Sequence, residues 1–269
     1  MLTVIKHTLI ESIHKRMALA LMVISVLIFA IMMFFFSFKT QPNGSVLVFA
    51  RGGPSSVPAG VFVRDIFQSA LGTTSGLWTF LGIFALAPLL SSYLENGMAG
   101  LLFTKALARW QIFLGRVAGA FVVFIATVVL LDGIPAFYFW ARTGISAKNF
   151  LLAVGILMVS FISLVAIMAL VGIQRNGPAP AIIIAFLQVA ISAVLSNRDQ
   201  LYKAFTSNWF RQSMDFTYYI LPKNADLSTM ATRFFNNGAI ASWMPLWSTV
   251  LFTVAILGLT IWQLQRKSL

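Results

Sequence analysis

Apolar residues occur along this chain in long, uninterrupted runs. Six runs approach or exceed the roughly 20 residues that a helix needs to cross a bilayer. They cover residues 18–38, 71–94, 117–140, 150–173, 179–195 and 245–264. Continuous runs favour helices, because the strands of a membrane barrel alternate apolar and polar positions. The pattern therefore predicts an all-α membrane protein with six transmembrane helices in one transmembrane domain, residues 1–269.

Composition and charge agree with a membrane location. Hydrophobic residues make up 59% of the chain and charged residues 10%, against about 25% charged residues in soluble domains. Such a chain cannot cover itself with a polar surface, which excludes a soluble globular domain and a disordered tail. The net charge is +12, and the basic residues flank the apolar runs, so anionic lipid is a better expected partner than nucleic acid.

The basic residues also predict an orientation. Lys6, Lys15 and Arg16 precede the first run, and Arg266 and Lys267 follow the last. Because Lys and Arg are enriched on the cytoplasmic side of membrane proteins, we expect a multi-pass cell-membrane protein with both termini in the cytoplasm.

Three segments outside the runs have patterns of their own. Residues 1–17 place apolar side chains on one helical face and Glu11 largely opposite, which predicts an amphipathic helix in the membrane interface. Residues 39–70 contain a β-prone run at 46–50. Residues 196–244 are too long for a plain loop, so interfacial or re-entrant helices are expected there.

Most catalytic signatures are absent from the sequence. It contains no G-x-x-x-x-G-K-[ST], no H-E-x-x-H and no cysteine, so we expect neither an enzyme nor a metal or cofactor site in this chain. Asp132 lies inside the third run, in its expected outer third, and an acid within a span is a candidate functional residue. Two interpretations stay open: an interfacial carboxylate reached by water, or a relay for protons or cations.

The connection between the second and third runs is the most informative stretch. It reads ENGMAGLLFTKALARWQIFLGR over residues 95–116. Lys105 and Arg109 are four residues apart and share a helical face, beside apolar side chains. A short helix of this kind can fill a groove on another protein. It can equally be an interfacial loop whose cations reach toward lipid.

The order of residues in this stretch resembles the cytoplasmic coupling segment of type-2 ATP-binding-cassette (ABC) permeases. Ala106 and Ala108 depart from the Pro and Ser that are common in that family. Residues 218–227 resemble, less closely, the Tyr-x-x-Leu-Pro segment that precedes the last span of such permeases. The residues assigned to the coupling segment are Glu95, Gly97, Gly100, Leu101, Leu102, Phe103, Lys105, Arg109, Trp110, Gly115 and Arg116.

The resemblance implies the permease subunit of a type-2 ABC exporter-like transporter. Its partners would be a second permease copy or a homologous subunit, and separate cytoplasmic ATPase subunits that bind ATP and Mg²⁺. The first, second and fifth spans would line the path, although small hydroxyl side chains can serve helix packing instead. The implied lining residues are Phe34, Thr73, Thr74, Ser75, Thr79, Gln188 and Ser192. The substrate and the direction of transport stay open.

Two other functions stay open. One is a membrane scaffold or maturation factor that uses an ATPase partner to act on an extracytoplasmic protein through residues 196–244. The other is an ion-coupled carrier that uses Asp132.

Overall fold

The structure, a computed structural model, describes residues 2–14, 17–40, 46–50, 56–91, 108–174, 177–204, 207–240 and 242–266. Most of these residues are helical. The α-helices are α1 (Leu2–His14), α2 (Met17–Phe35), α3 (Ala59–Ser69), α4 (Ser75–Ser91), α5 (Arg109–Val128), α6 (Ile134–Thr143), α7 (Lys148–Gln174), α8 (Ala179–Ser196), α9 (Arg198–Ala204), α10 (Asn208–Ile220), α11 (Asn224–Asn237) and α12 (Met244–Arg266). Two π-helical turns, π1 (Ala70–Thr74) and π2 (Val129–Gly133), join α3 to α4 and α5 to α6.

Among the described residues, five helical runs are long and apolar enough to cross a membrane. They are Ala59–Ser91, Trp110–Thr143, Lys148–Gln174, Ala179–Ser196 and Met244–Arg266. The prediction of a helical, multi-pass membrane protein is thereby confirmed. The described apolar part of α2 is shorter, Val23–Phe35, so a sixth crossing by this helix stays a prediction.

A small antiparallel sheet follows α2. Its strands are β1 (Phe36–Thr40), β2 (Val46–Ala50) and β3 (Ser56–Pro58), in the order β1-β2-β3. Val48 lies opposite both Phe38 and Val57. The β-prone run at 46–50 is therefore a strand, and the first predicted span ends at Phe35 because β1 begins at the next residue.

The long helices alternate in direction, so that α1 and the end of α12 lie at the same end of the bundle. We call this the α1 end. Close approaches between described residues connect the helices there: Glu11 with Arg116, Arg116 with the Leu89 carbonyl, Gly172 with the Leu90 backbone, and Gln174 with Gln263. The opposite end carries the sheet and is called the sheet end.

Aromatic stacking organises the core between the ends. The rings of Phe124 and Phe161 stack with centroids 3.5 Å apart, and the edge of Trp78 meets Phe124 at 5.1 Å. A Cβ at Gly82 would lie 2.6 Å from the Phe161 ring. Only glycine therefore lets α4 and α7 come this close, which is how packing holds helices together in lipid.

The segment between α8 and α12 folds back into the bundle. The chain becomes extended at Leu221, and α11 begins at Asn224. Asn224 contacts Ser163, which lies near the middle of α7. The first turn of α11 is therefore held within the depth of the bundle, as a re-entrant helix would be.

Candidate functional site

A buried ion pair joins three helices at the α1 end. Arg116 Nη2 donates to Glu11 Oε2 at 2.6 Å, and the two side chains are 3% and 8% exposed. Arg116 Nη1 also donates to the Leu89 carbonyl at 3.3 Å. Since Leu89 lies near the end of α4 and Arg116 near the start of α5, the pair ties α1 to both helices that flank residues 92–107.

The sequence brings α1 close enough for this pair to form. Thr8 and Glu11 are three residues apart on α1, as are Arg116 and Gly119 on α5, so each pair shares one helical face. A Cβ at Gly119 would lie 2.7 Å from the Thr8 Cβ. The Thr8 hydroxyl donates to the Val4 carbonyl at 2.9 Å, so it is satisfied within its own helix.

Part of the predicted coupling segment lies in the described structure. Trp110 is 39% exposed, Gly115 is buried, and Arg116 forms the ion pair. Ala108 precedes α5, and its N–H donates to Gln111 Oε1 at 3.2 Å, which caps the helix start. Of Arg109 the backbone alone is described. The remaining assigned positions lie outside the described residues: Glu95, Gly97, Gly100, Leu101, Leu102, Phe103 and Lys105. The coupling helix stays a prediction.

Two predicted path-lining residues belong to a buried polar cluster. Gln188 Nε2 donates to Ser163 Oγ at 3.0 Å, and Ser163 Oγ lies 3.1 Å from Asn224 Oδ1. The Ala225 N–H donates to Ser192 Oγ at 3.0 Å. Gln188 and Ser192 thus hold α11 against α7 and α8, which is the helix-packing role left open by the sequence.

The other predicted lining residues with described side chains lie in different surroundings. Phe34 is 62% exposed on α2. Thr73 donates to the Ser69 carbonyl at 2.7 Å and lines a cavity beside π1, and Thr79 is half-buried. The side chains of Thr74 and Ser75 lie outside the described part of the structure. A path lined by these residues stays a prediction.

The Tyr-x-x-Leu-Pro segment closes a hydrogen-bonded loop at the sheet end. Tyr218 Oη donates to Asp226 Oδ2 at 2.6 Å, and Ser196 Oγ donates to Asp226 Oδ1 at 2.6 Å. The guanidinium of Arg198 stacks 3.6 Å from the Tyr218 ring centroid. Burial, together with the hydrogen bond to Asp226, raises the pKa of Tyr218. These contacts tie α8, α10 and α11 together beside a cavity of about 470 Å³.

Lys223 is a buried cation that the sequence analysis did not single out. It is 2% exposed, and its Nζ lies 4.5 Å from the Tyr218 ring centroid. Burial lowers its pKa below the usual 10.5, while the charge of Asp226 acts in the opposite direction. A lysine directly after Pro222, in an aromatic stretch, is the sequence signal that could have pointed to it.

Asp132 is enclosed by the protein. It is 3% exposed in π2, and its carboxyl is hydrogen-bonded to the side chain of Trp78. It lines a cavity of about 330 Å³ that also includes Thr73. The fold therefore brings an acid of the third predicted span next to a predicted lining residue of the second.

Comparison with models of known protein families and with curated protein sequences finds no match to this chain. The fold alone defines the class, a helical multi-pass membrane protein.

Proposed function

We propose that the chain is the permease subunit of an ABC transporter and that ATP hydrolysed by a separate subunit drives it. The observation that supports this proposal is the buried Glu11–Arg116 pair with its bond to Leu89. It fixes α1 to both helices that flank the coupling-like segment. A push on that segment by a partner would therefore move α1, α4 and α5 together.

The length of the flanking helices fits mechanical transmission. The continuous helix Ala59–Ser91 has 33 residues, or about 50 Å at 1.5 Å per residue. A displacement at the α1 end would thus be carried to the sheet end. In the proposed cycle, ATP-driven closure of the partner favours one of two bundle arrangements, and release favours the other.

The proposal assigns the partners to surfaces of the chain. ATP and Mg²⁺ belong to the ATPase subunit, which docks at residues 95–116. The α1 end is cytoplasmic, and its basic residues meet anionic lipid. A second permease copy, or a homologous subunit, packs near α2, whose outward face exposes large apolar side chains: Val23, Val26, Leu27, Ile31, Phe34 and Phe35.

The test replaces the apolar side chains of the proposed coupling helix. Leu102→Asp with Phe103→Asp would put carboxylates into an apolar socket, which costs several kcal/mol. The tagged chain is purified from native membranes, and ATPase activity and the associated subunits are measured. We expect a copurifying ATPase with the wild type and its loss with the double variant.

A matched control changes two exposed aromatic side chains at the opposite end. Trp209 and Phe216 are 76% and 68% exposed, and Trp209→Asp with Phe216→Asp should keep the ATPase bound. ATP hydrolysis by the isolated chain, or equal ATPase recovery with both double variants, would contradict the proposal.

The scaffold function is the second candidate, favoured by one observation. Helix α10 exposes Trp209, Phe216 and Tyr219 at the sheet end, and exposed aromatic side chains are enriched where proteins bind one another. The variant Trp209→Asp with Phe216→Asp also tests this function. If it keeps the ATPase bound and transport continues, but its activity in the cell is lost, the scaffold function with an extracytoplasmic protein partner is the better conclusion.

A further inference from the structure

A cavity near the sheet end has an unusual combination of side chains. Its volume is about 330 Å³, and it lies between α2, α3, the two π turns, α6 and α7. Four aromatic rings and two carboxylates are among its lining groups: Phe62, Phe67, Phe139, Phe150, Asp65 and Asp132. The volume is at the lower end of the range for small-molecule sites.

The Asp132 carboxylate is the polar centre of this cavity. Asp132 is 97% buried, being 3% exposed, and its Oδ2 has no hydrogen-bond partner among the described residues. A buried carboxylate oxygen without a partner is costly. The acid sits in one π turn and faces a second, and such turns occur frequently at functional sites.

The aromatic rings are arranged as a wall. Phe67 stacks on Phe150 with centroids 4.3 Å apart, and Phe139 meets both Phe67 and Phe62 edge-on, at 5.9 and 6.2 Å. Ring faces attract cations and cover apolar surface at the same time.

The lining residues also determine which class of ligand the cavity can bind. No Lys, Arg or His is among the described residues that line the cavity, so the protein supplies no countercharge there. Among the described residues no group of three or more His, Cys, Asp or Glu side chains could hold a metal ion, and the cavity wall is mainly apolar and aromatic. An organic cation needs one acid and several rings.

We propose that this cavity binds a small organic ammonium ion with an apolar body. The ammonium group pairs with Asp132 Oδ2, and the phenylalanine rings hold the body. Neither the coupling segment nor the ion pair at the α1 end contributes to this site, so the proposal stands independently of the transport function.

The test compares two probes of equal shape. 1-Adamantylammonium is charged at neutral pH, and 1-adamantanol is its neutral counterpart. The full chain is placed in nanodiscs of zwitterionic phosphatidylcholine, so that anionic lipid does not capture the cation, and binding is measured by calorimetry and saturation-transfer NMR. We expect the wild type to bind the ammonium about tenfold or more tightly than the alcohol, as for hydrogen bonds to charged groups.

Variants of the chain distinguish recognition of the probe's charge from recognition of its shape. Asp132→Asn should abolish the preference for the ammonium while leaving 1-adamantanol binding unchanged. Asp199→Asn removes an exposed carboxylate elsewhere and should leave both affinities as they are. If Asp132→Asn does not fold, Phe62→Leu tests the wall and should weaken the binding of both probes by a few fold, because the rings hold the apolar body that the two probes share.

Two outcomes would overturn the proposal. One is equal affinity of the wild type for the two probes, or binding of neither. The other is a preference for the ammonium that persists in Asp132→Asn, since the cation would then bind elsewhere.

Discussion

Removing one charge of the Glu11–Arg116 pair tests whether the α1 end depends on it. Glu11→Gln keeps the size and an acceptor oxygen but removes the negative charge that the Arg116 guanidinium meets at Glu11. Both side chains are less than a tenth exposed, so water replaces little of the lost interaction. Breaking a buried pair from one side costs about 3–5 kcal/mol.

The chain provides its own control pair. Arg198 Nε and Asp215 Oδ1 are 3.8 Å apart, and these side chains are 27% and 48% exposed. An exposed pair of this kind contributes about 0–1 kcal/mol, and Asp215→Asn keeps an acceptor oxygen for the Tyr202 hydroxyl, which donates to Asp215 Oδ1 at 2.7 Å, so the variant should change stability little. Thermal unfolding in detergent, followed by tryptophan fluorescence, should show a loss on the order of 10 °C for Glu11→Gln.

A double variant distinguishes a lost pair from general damage. Glu11→Met with Arg116→Met replaces the pair by apolar side chains, and such exchanges are often neutral or stabilising. The double variant should therefore unfold at a higher temperature than Glu11→Gln. The reasoning is refuted if Glu11→Gln behaves like Asp215→Asn, or if the double variant unfolds at the same temperature as Glu11→Gln or below it.

Three further predictions concern other contacts, all followed by the same unfolding assay. Lys223→Met should unfold at a higher temperature than the wild type at pH 7. The difference in unfolding temperature should shrink toward pH 10.5, because the lowered pKa of Lys223 means that the unfolded chain binds more protons than the folded chain, so that the wild type gains stability as the pH rises. A difference that widens with pH would contradict this. Gly119→Ala should destabilise the chain, since its Cβ would meet α1 at 2.7 Å. A Cβ at Gly155 would meet nothing within 4 Å, so Gly155→Ala should be neutral to slightly stabilising, because Ala favours a helix more than Gly does. Tyr218→Phe should cost about 1.5–3 kcal/mol, as expected for a hydrogen bond to a charged group, while Tyr219→Phe, at an exposed position, should cost almost nothing.

The hydropathy pattern located the long helices well but misplaced the start of the second one. That helix begins at Ala59 rather than at residue 71. Arg64 and Asp65 interrupt the apolar pattern, although Val63 and Phe67 are four residues apart and buried on one face. A criterion that requires continuous apolarity misses a helix with a single buried face. The helical periodicity of its apolar residues would have predicted it.

Contacts between side chains that are distant in sequence could not be predicted from the sequence. Arg116 was assigned through its place in the coupling-like segment, but its partner Glu11 lies 105 residues earlier. The helical wheel placed Glu11 on the polar face of α1, where lipid headgroups or water would meet it. In the structure Glu11 packs on α5 together with Thr8, whereas His7 stays exposed. Gln188 was likewise predicted to line a path, and the sequence does not show that α11 folds back beside it.

The buried charges of this chain are accommodated in different ways, and the differences bear on function. Glu11 and Arg116 neutralise each other, so their role is to hold helices together. Lys223 lies against tyrosine rings, and burial lowers its pKa while the charge of Asp226 opposes that shift. Asp132 has the Trp78 hydrogen bond on one side and a cavity of about 330 Å³ on the other. A ligand in this cavity can pair with the buried carboxylate, and for this reason we place a binding site at Asp132.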